Sequence, residues 1–185
     1  FFAFNPSNNS GENLFAVGSP ASSQNVAYQP SFSGNRNLYH YGDDLSVSGT
    51  ASGWQIAAFL YSKLGSGTDR FYYANENLAG SNAAGTLALP SPPLLSVGGY
   101  SNRTDNPNGN ELTGPIGEAI FYSTALAGVD RILVNNYLSA KYNLALSAND
   151  VFDGDTTGNG DFDLDVAGIG WFGSDRHVQS HSAGM

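Results

Sequence analysis

Six oxygen-bearing side chains crowd one short stretch: Asp153, Asp155, Asn159, Asp161, Asp163 and Asp165. Gly154, Gly158 and Gly160 lie between them. Hard cations such as Ca²⁺ take six to eight oxygens, and Asp alternating with Gly turns supplies them. The stretch is therefore the candidate calcium site. An EF-hand register needs Gly at its sixth position and Glu at its twelfth. Counting from Asp153 puts Gly158 sixth and Leu164 twelfth; counting from Asp155 puts Gly160 sixth and Val166 twelfth. Neither register is complete. The competing reading is a solvated linker running into a strand, with Phe162, Leu164 and Val166 alternating with water-facing aspartates.

The other chemistry-bearing groups are sparse. The glutamates are Glu12, Glu76, Glu111 and Glu118, and none has another within five residues. Glycoside hydrolysis needs two carboxylates flanking one bond, so no local motif provides the pair. His177 and His181 are spaced i, i+4, but the Glu of H-E-x-x-H is missing and the tail around them is Ser-rich. No G-x-S-x-G elbow is present. Gly65-Ser66-Gly67 lacks a phosphate-binding Lys and reads as a turn. Aromatic rings beside polar loop residues are the remaining candidates: Tyr39, Tyr41, Trp54 and Tyr100, with Asn102 nearby. Flat rings stack on sugar faces, and Asn and acidic groups bond hydroxyls. The bland alternative is that such rings fill a core. Glu118 joins the ligand candidates. At a two-residue period it shares a strand face with Ile116, Ile120 and Tyr122. A hydrogen-bonded anchoring role is the bland alternative for it.

These residues need elements to hold them. Strands are predicted at residues 1–4, 13–17, 37–41, 45–48, 55–61, 69–75, 94–99 and 114–122, separated by Gly-, Ser- and Asn-rich turns. The run 55–61 is continuously apolar, which predicts a central strand buried on both faces. Residues 129–142 predict a helix, with Val134, Leu138 and Tyr142 at i, i+4, i+8 beside Leu133 and Tyr137. Asp130 near its start and Lys141 near its end suit the helix dipole. The predicted boundary falls near 147–150, giving a domain over 1–147 and an acidic segment with the start of a further β region over 148–185.

Composition narrows the classes. The chain has 185 residues, 41% of them hydrophobic and 12% aromatic, enough for one packed domain. Seven basic residues face 16 acidic ones, a net charge of -9. That argues against nucleic acid and against an anionic membrane surface. No apolar run approaches the ~20 residues of a membrane span, so no membrane insertion is expected. Without cysteine, disulfides and thiolate sites are excluded. The start, Phe1-Phe2-Ala3-Phe4, lies inside an apolar strand-like run and reads as though something upstream were missing.

The order Ser96-Val97-Gly98-Gly99-Tyr100, then Gly114-Pro115-Ile116-Gly117-Glu118-Ala119-Ile120-Phe121-Tyr122, then Tyr137-Leu138-Ser139-Ala140-Lys141-Tyr142 resembles the C-terminal half of concanavalin A-like, laminin G-type jelly-roll domains of secreted bacterial surface proteins. The likeness covers about 94–142. The tail, Asp165-Val166-Ala167-Gly168-Ile169-Gly170 and onward, resembles the opening of a β domain that often follows them; Trp171-Phe172-Gly173-Ser174 interrupts its pattern. The resemblance implies an all-β, two-sheet antiparallel jelly-roll sandwich, with one helix across an edge or end. It also implies an extracellular or cell-surface setting. Three functions follow in order: a non-catalytic carbohydrate-binding or adhesion module, assisted by calcium; a structural subunit of a filament or surface layer; and a glycoside hydrolase. The partner is a glycan or a neighbouring protein subunit.

Overall fold

The computed structural model describes residues 1–7, 10–19, 21, 23–40, 42–62, 69–85, 87–100, 110–152 and 158, and the backbone of 169–172 and 175–178. Two antiparallel five-stranded sheets pack face to face. In chain order the strands are β1 (Phe2–Phe4), β2 (Phe15–Gly18), β3 (Asn25–Phe32), β4 (Asn35–Tyr39), β5 (Asp44–Ser48), β6 (Gln55–Tyr61), β7 (Arg70–Ala74), β8 (Asn77–Asn82), β9 (Leu95–Val97) and β10 (Ile116–Ala119). One sheet runs β10-β1-β6-β7-β8 and the other β5-β4-β3-β2-β9. The helix α1 spans Gly128–Tyr142, and a separate hairpin pairs β11 (Ile169–Phe172) with β12 (Asp175–Val178).

The inner core is aromatic. Phe2, Phe4 and Tyr72 of the first sheet meet Phe15, Tyr28, Leu38 and Leu45 of the second. Phe2 stacks on Phe15 at 5.3 Å, and Tyr28 lies 4.4 Å from Phe59. Alternation along each strand puts these residues on one face. The two buried phenols satisfy each other, with Tyr28 Oη donating to Tyr72 Oη at 2.9 Å. Burial pushes the Tyr28 hydroxyl well above its ordinary pKa, so it stays a neutral donor.

The helix lies on a face, not across an edge or end. Leu138, wholly buried, packs with Phe1, Ala3, Ile56 and Ala58 on the outer side of the first sheet. This explains β6: it is third of five strands, with the second sheet on one side and α1 on the other. Small side chains at Ala3 and Ala58 let the helix approach. The buried side of α1 also carries Arg131, Asn135 and Asn136, while Leu133 of the predicted stripe is only partly buried. The polar residues turn inward because Glu76 meets them there: its carboxylate takes hydrogen bonds from Arg131 and Asn135. Asn136 Oδ1 accepts from the backbone N–H of Val151 and Phe152 at 2.8 and 3.0 Å, which ties 151–152 to the helix. Asn143, at φ 50°, ends the helix in the left-handed region that Asn tolerates.

Two strands run where the sequence predicted none. β3 contains Pro30, which normally argues against a central strand; here it falls where the pairing with β4 shifts between Gln29 and Phe32, a bulge that spares the ladder. β8 contains Gly80, whose missing Cβ would sit 2.7 Å from Val47 of the facing sheet.

A bulge also corrects the facing of β10. Phe2 and Ala3 pair with Ala119 and Glu118, but Phe4 pairs with Ile116, skipping Gly117. Ile116 therefore joins the inner core, while Glu118 and Ile120 face α1. A strict two-residue period had put all three on one face. Gly117 is left under the Tyr142 ring, 2.7 Å from where a Cβ would lie. Gly117→Ala is expected to cost about 1–2 kcal/mol by overpacking and to displace Tyr142. Urea unfolding with tryptophan fluorescence checks both.

Candidate functional site

The outer side of the first sheet carries a cluster of rings and charges at the C-terminal end of α1. Gly53, at φ 70°, turns the chain into β6 and leaves Trp54 at the turn. Trp54 is 44% exposed. Its indole lies parallel to the Tyr142 ring, 10° apart with centroids at 6.3 Å. Tyr142 is the last residue of α1 and crosses Gly117, so its hydroxyl reaches Glu118 Oε2 at 3.3 Å. Glu118 also accepts from Lys141 Nζ at 3.0 Å and from Tyr137 Oη at 3.3 Å. Lys141 Nζ donates to Tyr137 Oη at 2.8 Å. Residues 137 and 141 are one helical turn apart, and so meet on one face.

Lys141 and Tyr142 hold their protons near neutral pH. The Tyr137 hydroxyl and the Glu118 carboxylate push the Lys141 ammonium above the ordinary lysine value. Partial burial, then the Glu118 charge, pushes the Tyr142 hydroxyl up, so it remains protonated. Lys141 and Glu118 are each about one-quarter exposed. A ligand can therefore meet a flat apolar ring, a carboxylate acceptor and an ammonium donor side by side. Lys141 has three N–H donors, of which Glu118 and Tyr137 engage two.

The residues singled out from sequence divide. Trp54 and Glu118 come together through Tyr142. Tyr39 and Tyr100 lie on the opposite outer face, packed with Ala16 and Ala27. Tyr39 is buried, and its hydroxyl donates to Asn13 Oδ1 at 2.7 Å. Tyr41 and Asn102 lie outside the described residues, as do Asp153, Asp155, Asn159, Asp161, Asp163 and Asp165. Among the described residues no three His, Asp or Glu side chains converge as metal ligands. Tyr137, Lys141 and Tyr142 were legible in sequence only as parts of a helix. The signal that would have found them is the 137–141 spacing opposite a lone strand glutamate.

Two other glutamates serve the fold. Glu12 accepts from Ser7 Oγ at 2.9 Å and Thr113 Oγ1 at 2.7 Å, joining two loops. Glu76 binds Arg131, Asn135 and Asn149, the last at 3.1 Å. The chain matches no known family model, no curated protein and no solved structure.

Proposed function

We propose that the chain is a non-catalytic carbohydrate-binding or adhesion module of a secreted or cell-surface protein, with its site on the helix-bearing face. The observation that carries this reading is the half-exposed Trp54 ring on Tyr142, at the margin of the Glu118–Lys141–Tyr137 cluster. A sugar ring offers one apolar face of C–H groups and a rim of hydroxyls. The indole takes the face; Glu118 accepts from a hydroxyl and Lys141 donates to one. Few but well-placed polar groups beside an aromatic floor are what orients a small ligand. Calcium held by the 153–165 aspartates is part of the proposal, as an aid to binding.

A broad glycan array, read once with calcium and once with a chelator, tests it. Saturable binding to one glycan class is expected, weakened by the chelator. A blank array in both conditions overturns the reading.

A structural-subunit reading has its own support. β9 ends its sheet among the described residues, and Leu94, Leu95 and Val97 there are 59%, 51% and 46% exposed. Apolar groups at a sheet edge favour pairing with another chain. Sedimentation across a hundredfold concentration range would show assembly if that reading holds, and a constant monomer would exclude it.

A further inference from the structure

The outer side of β9 is complementary to itself. β9 pairs with β2 alone, Phe15 against Val97, Ala16 against Ser96 and Val17 against Leu95. The carbonyl of Leu94 accepts from Gly18 N–H at 2.9 Å, and Gly98 N–H donates to the carbonyl of Leu14 at 2.7 Å. Bonded residues alternate along an antiparallel ladder. Leu94, Ser96 and Gly98 therefore turn their backbones toward β2. Leu95 and Val97 turn theirs away, and none of the described residues bonds them there. An N–H and a C=O stand free at each, placed symmetrically about Ser96.

Exposed sheet edges are ordinarily blunted by charge, proline or a bulge. Among the four edge strands, β5 carries Asp44, β10 carries Glu118, and β8 is polar at Asn77, Ser81 and Asn82. β9 has no such protection: Pro93 stops short of it, and Leu94, Leu95 and Val97 are exposed. Charge favours the same place. Two copies of a chain with net charge -9 repel each other. Residues 77–102 hold no Asp, Glu, Lys or Arg, so approach along β9 meets little local repulsion.

From this geometry we propose, resting on the structural-subunit reading and deepening it, that β9 pairs with β9 of a second copy, antiparallel, about a two-fold axis at Ser96. Leu95 of each chain then faces Val97 of the other as a hydrogen-bonded pair that exchanges both bonds. All four free groups of each chain are used. Leu95 and the second copy's Val97 share the sheet face that also holds Phe15 and Val17, and they cover each other. Ser96 meets its own counterpart in a non-hydrogen-bonded pair, where side chains come closest and a small one fits. Such an interface is isologous and closes at two, so no filament grows from β9 alone. Three edge residues bury less than the ~800 Å² per partner of a standard interface, so the pairing is weak.

Disulfide trapping tests it, because the chain has no cysteine of its own. Non-hydrogen-bonded pairs hold their Cα atoms about 4.5 Å apart, within disulfide reach. Ser96→Cys is expected to cross-link to a dimer under mild oxidation, with no larger species. Ser48→Cys, on the exposed edge of β5, is the control for random collision. Leu95→Lys, at a half-exposed position the fold should tolerate, is expected to slow trapping of Ser96→Cys about tenfold or more. In sedimentation, the unmodified chain is expected to show a monomer–dimer equilibrium that Leu95→Lys shifts to monomer. Equal trapping through Ser96→Cys and Ser48→Cys overturns the proposal. Assembly that Leu95→Lys leaves unchanged also overturns it, while the subunit reading survives on another surface. A constant monomer at every concentration sinks both. Slow exchange of the Leu95 and Val97 amides in the dilute monomer would show that the chain covers this edge itself, and would overturn the two-fold pairing.

Discussion

Glu76→Ala is expected to destabilise the protein by about 3–5 kcal/mol, the usual effect of removing one member of a buried ion pair. The Glu76 side chain is wholly buried, and its carboxylate receives Arg131, Asn135 and Asn149. Arg131 also lies over the Tyr73 ring, 3.8 Å from its centroid. Deleting the carboxylate leaves the buried Arg131 guanidinium and Asn135 amide without their acceptor, while the exposed Asn149 can turn to water. The backbone sharpens the test. Asn75 and Glu76 form the two-residue turn between β7 and β8, with φ 46° and 67°. Both values are left-handed, as a primed hairpin turn requires, and the second position usually prefers glycine. Glu76→Gly would relieve that strain, and it is still expected to be destabilising because the ion pair outweighs it. Glu76→Gln, which keeps the shape, is expected to recover part of the loss. Urea midpoints at constant slope measure all three. A loss below about 1 kcal/mol for the alanine variant would mean that Arg131 finds another partner.

Leu138→Ala is expected to cost about 2–5 kcal/mol. Leu138 is fully buried on Ala3, Ile56 and Ala58, side chains too short to fill the space it would vacate. A helix merely resting on an edge would lose much less. The same urea series decides it: a loss near the top of the range supports a helix seated on the sheet face. A loss under about 1 kcal/mol places it elsewhere.

Much of the frame was legible because its signals are local. The apolar run 55–61 gave β6 with its bounds, and the period of 129–142 gave α1 to within a residue. What was not legible depends on contacts between distant residues. Pro30 and Gly80 discouraged β3 and β8, and only the bulge beside Pro30 and the close approach of Val47 to Gly80 make those strands sound. Asn75-Glu76 carries no glycine, so the hairpin it forms was missed; its stability comes from a helix about sixty residues away. Tertiary pairing also decided facing: one bulge at Gly117 sent Ile116 and Glu118 to opposite sides. The candidate site was half visible. Exposed Trp54 and lone Glu118 stood out by residue type. Tyr137, Lys141 and Tyr142 did not, because an aromatic at helical spacing reads as core until the facing strand is known. Tyr39 made the opposite error, a polar-flanked ring that the fold buries against Asn13.

We propose that Trp54 and the Glu118–Lys141–Tyr137 cluster bind sugar. The most direct measurement is the affinity of Trp54→Ala for the glycan class that the array identifies, beside its unfolding midpoint. Removing an exposed, stacked ring should change stability by about 1 kcal/mol or less. Binding should weaken at least tenfold, about 1.4 kcal/mol, with the fold intact. Unchanged affinity in a folded Trp54→Ala protein would contradict the account and move the site away from the helix-bearing face.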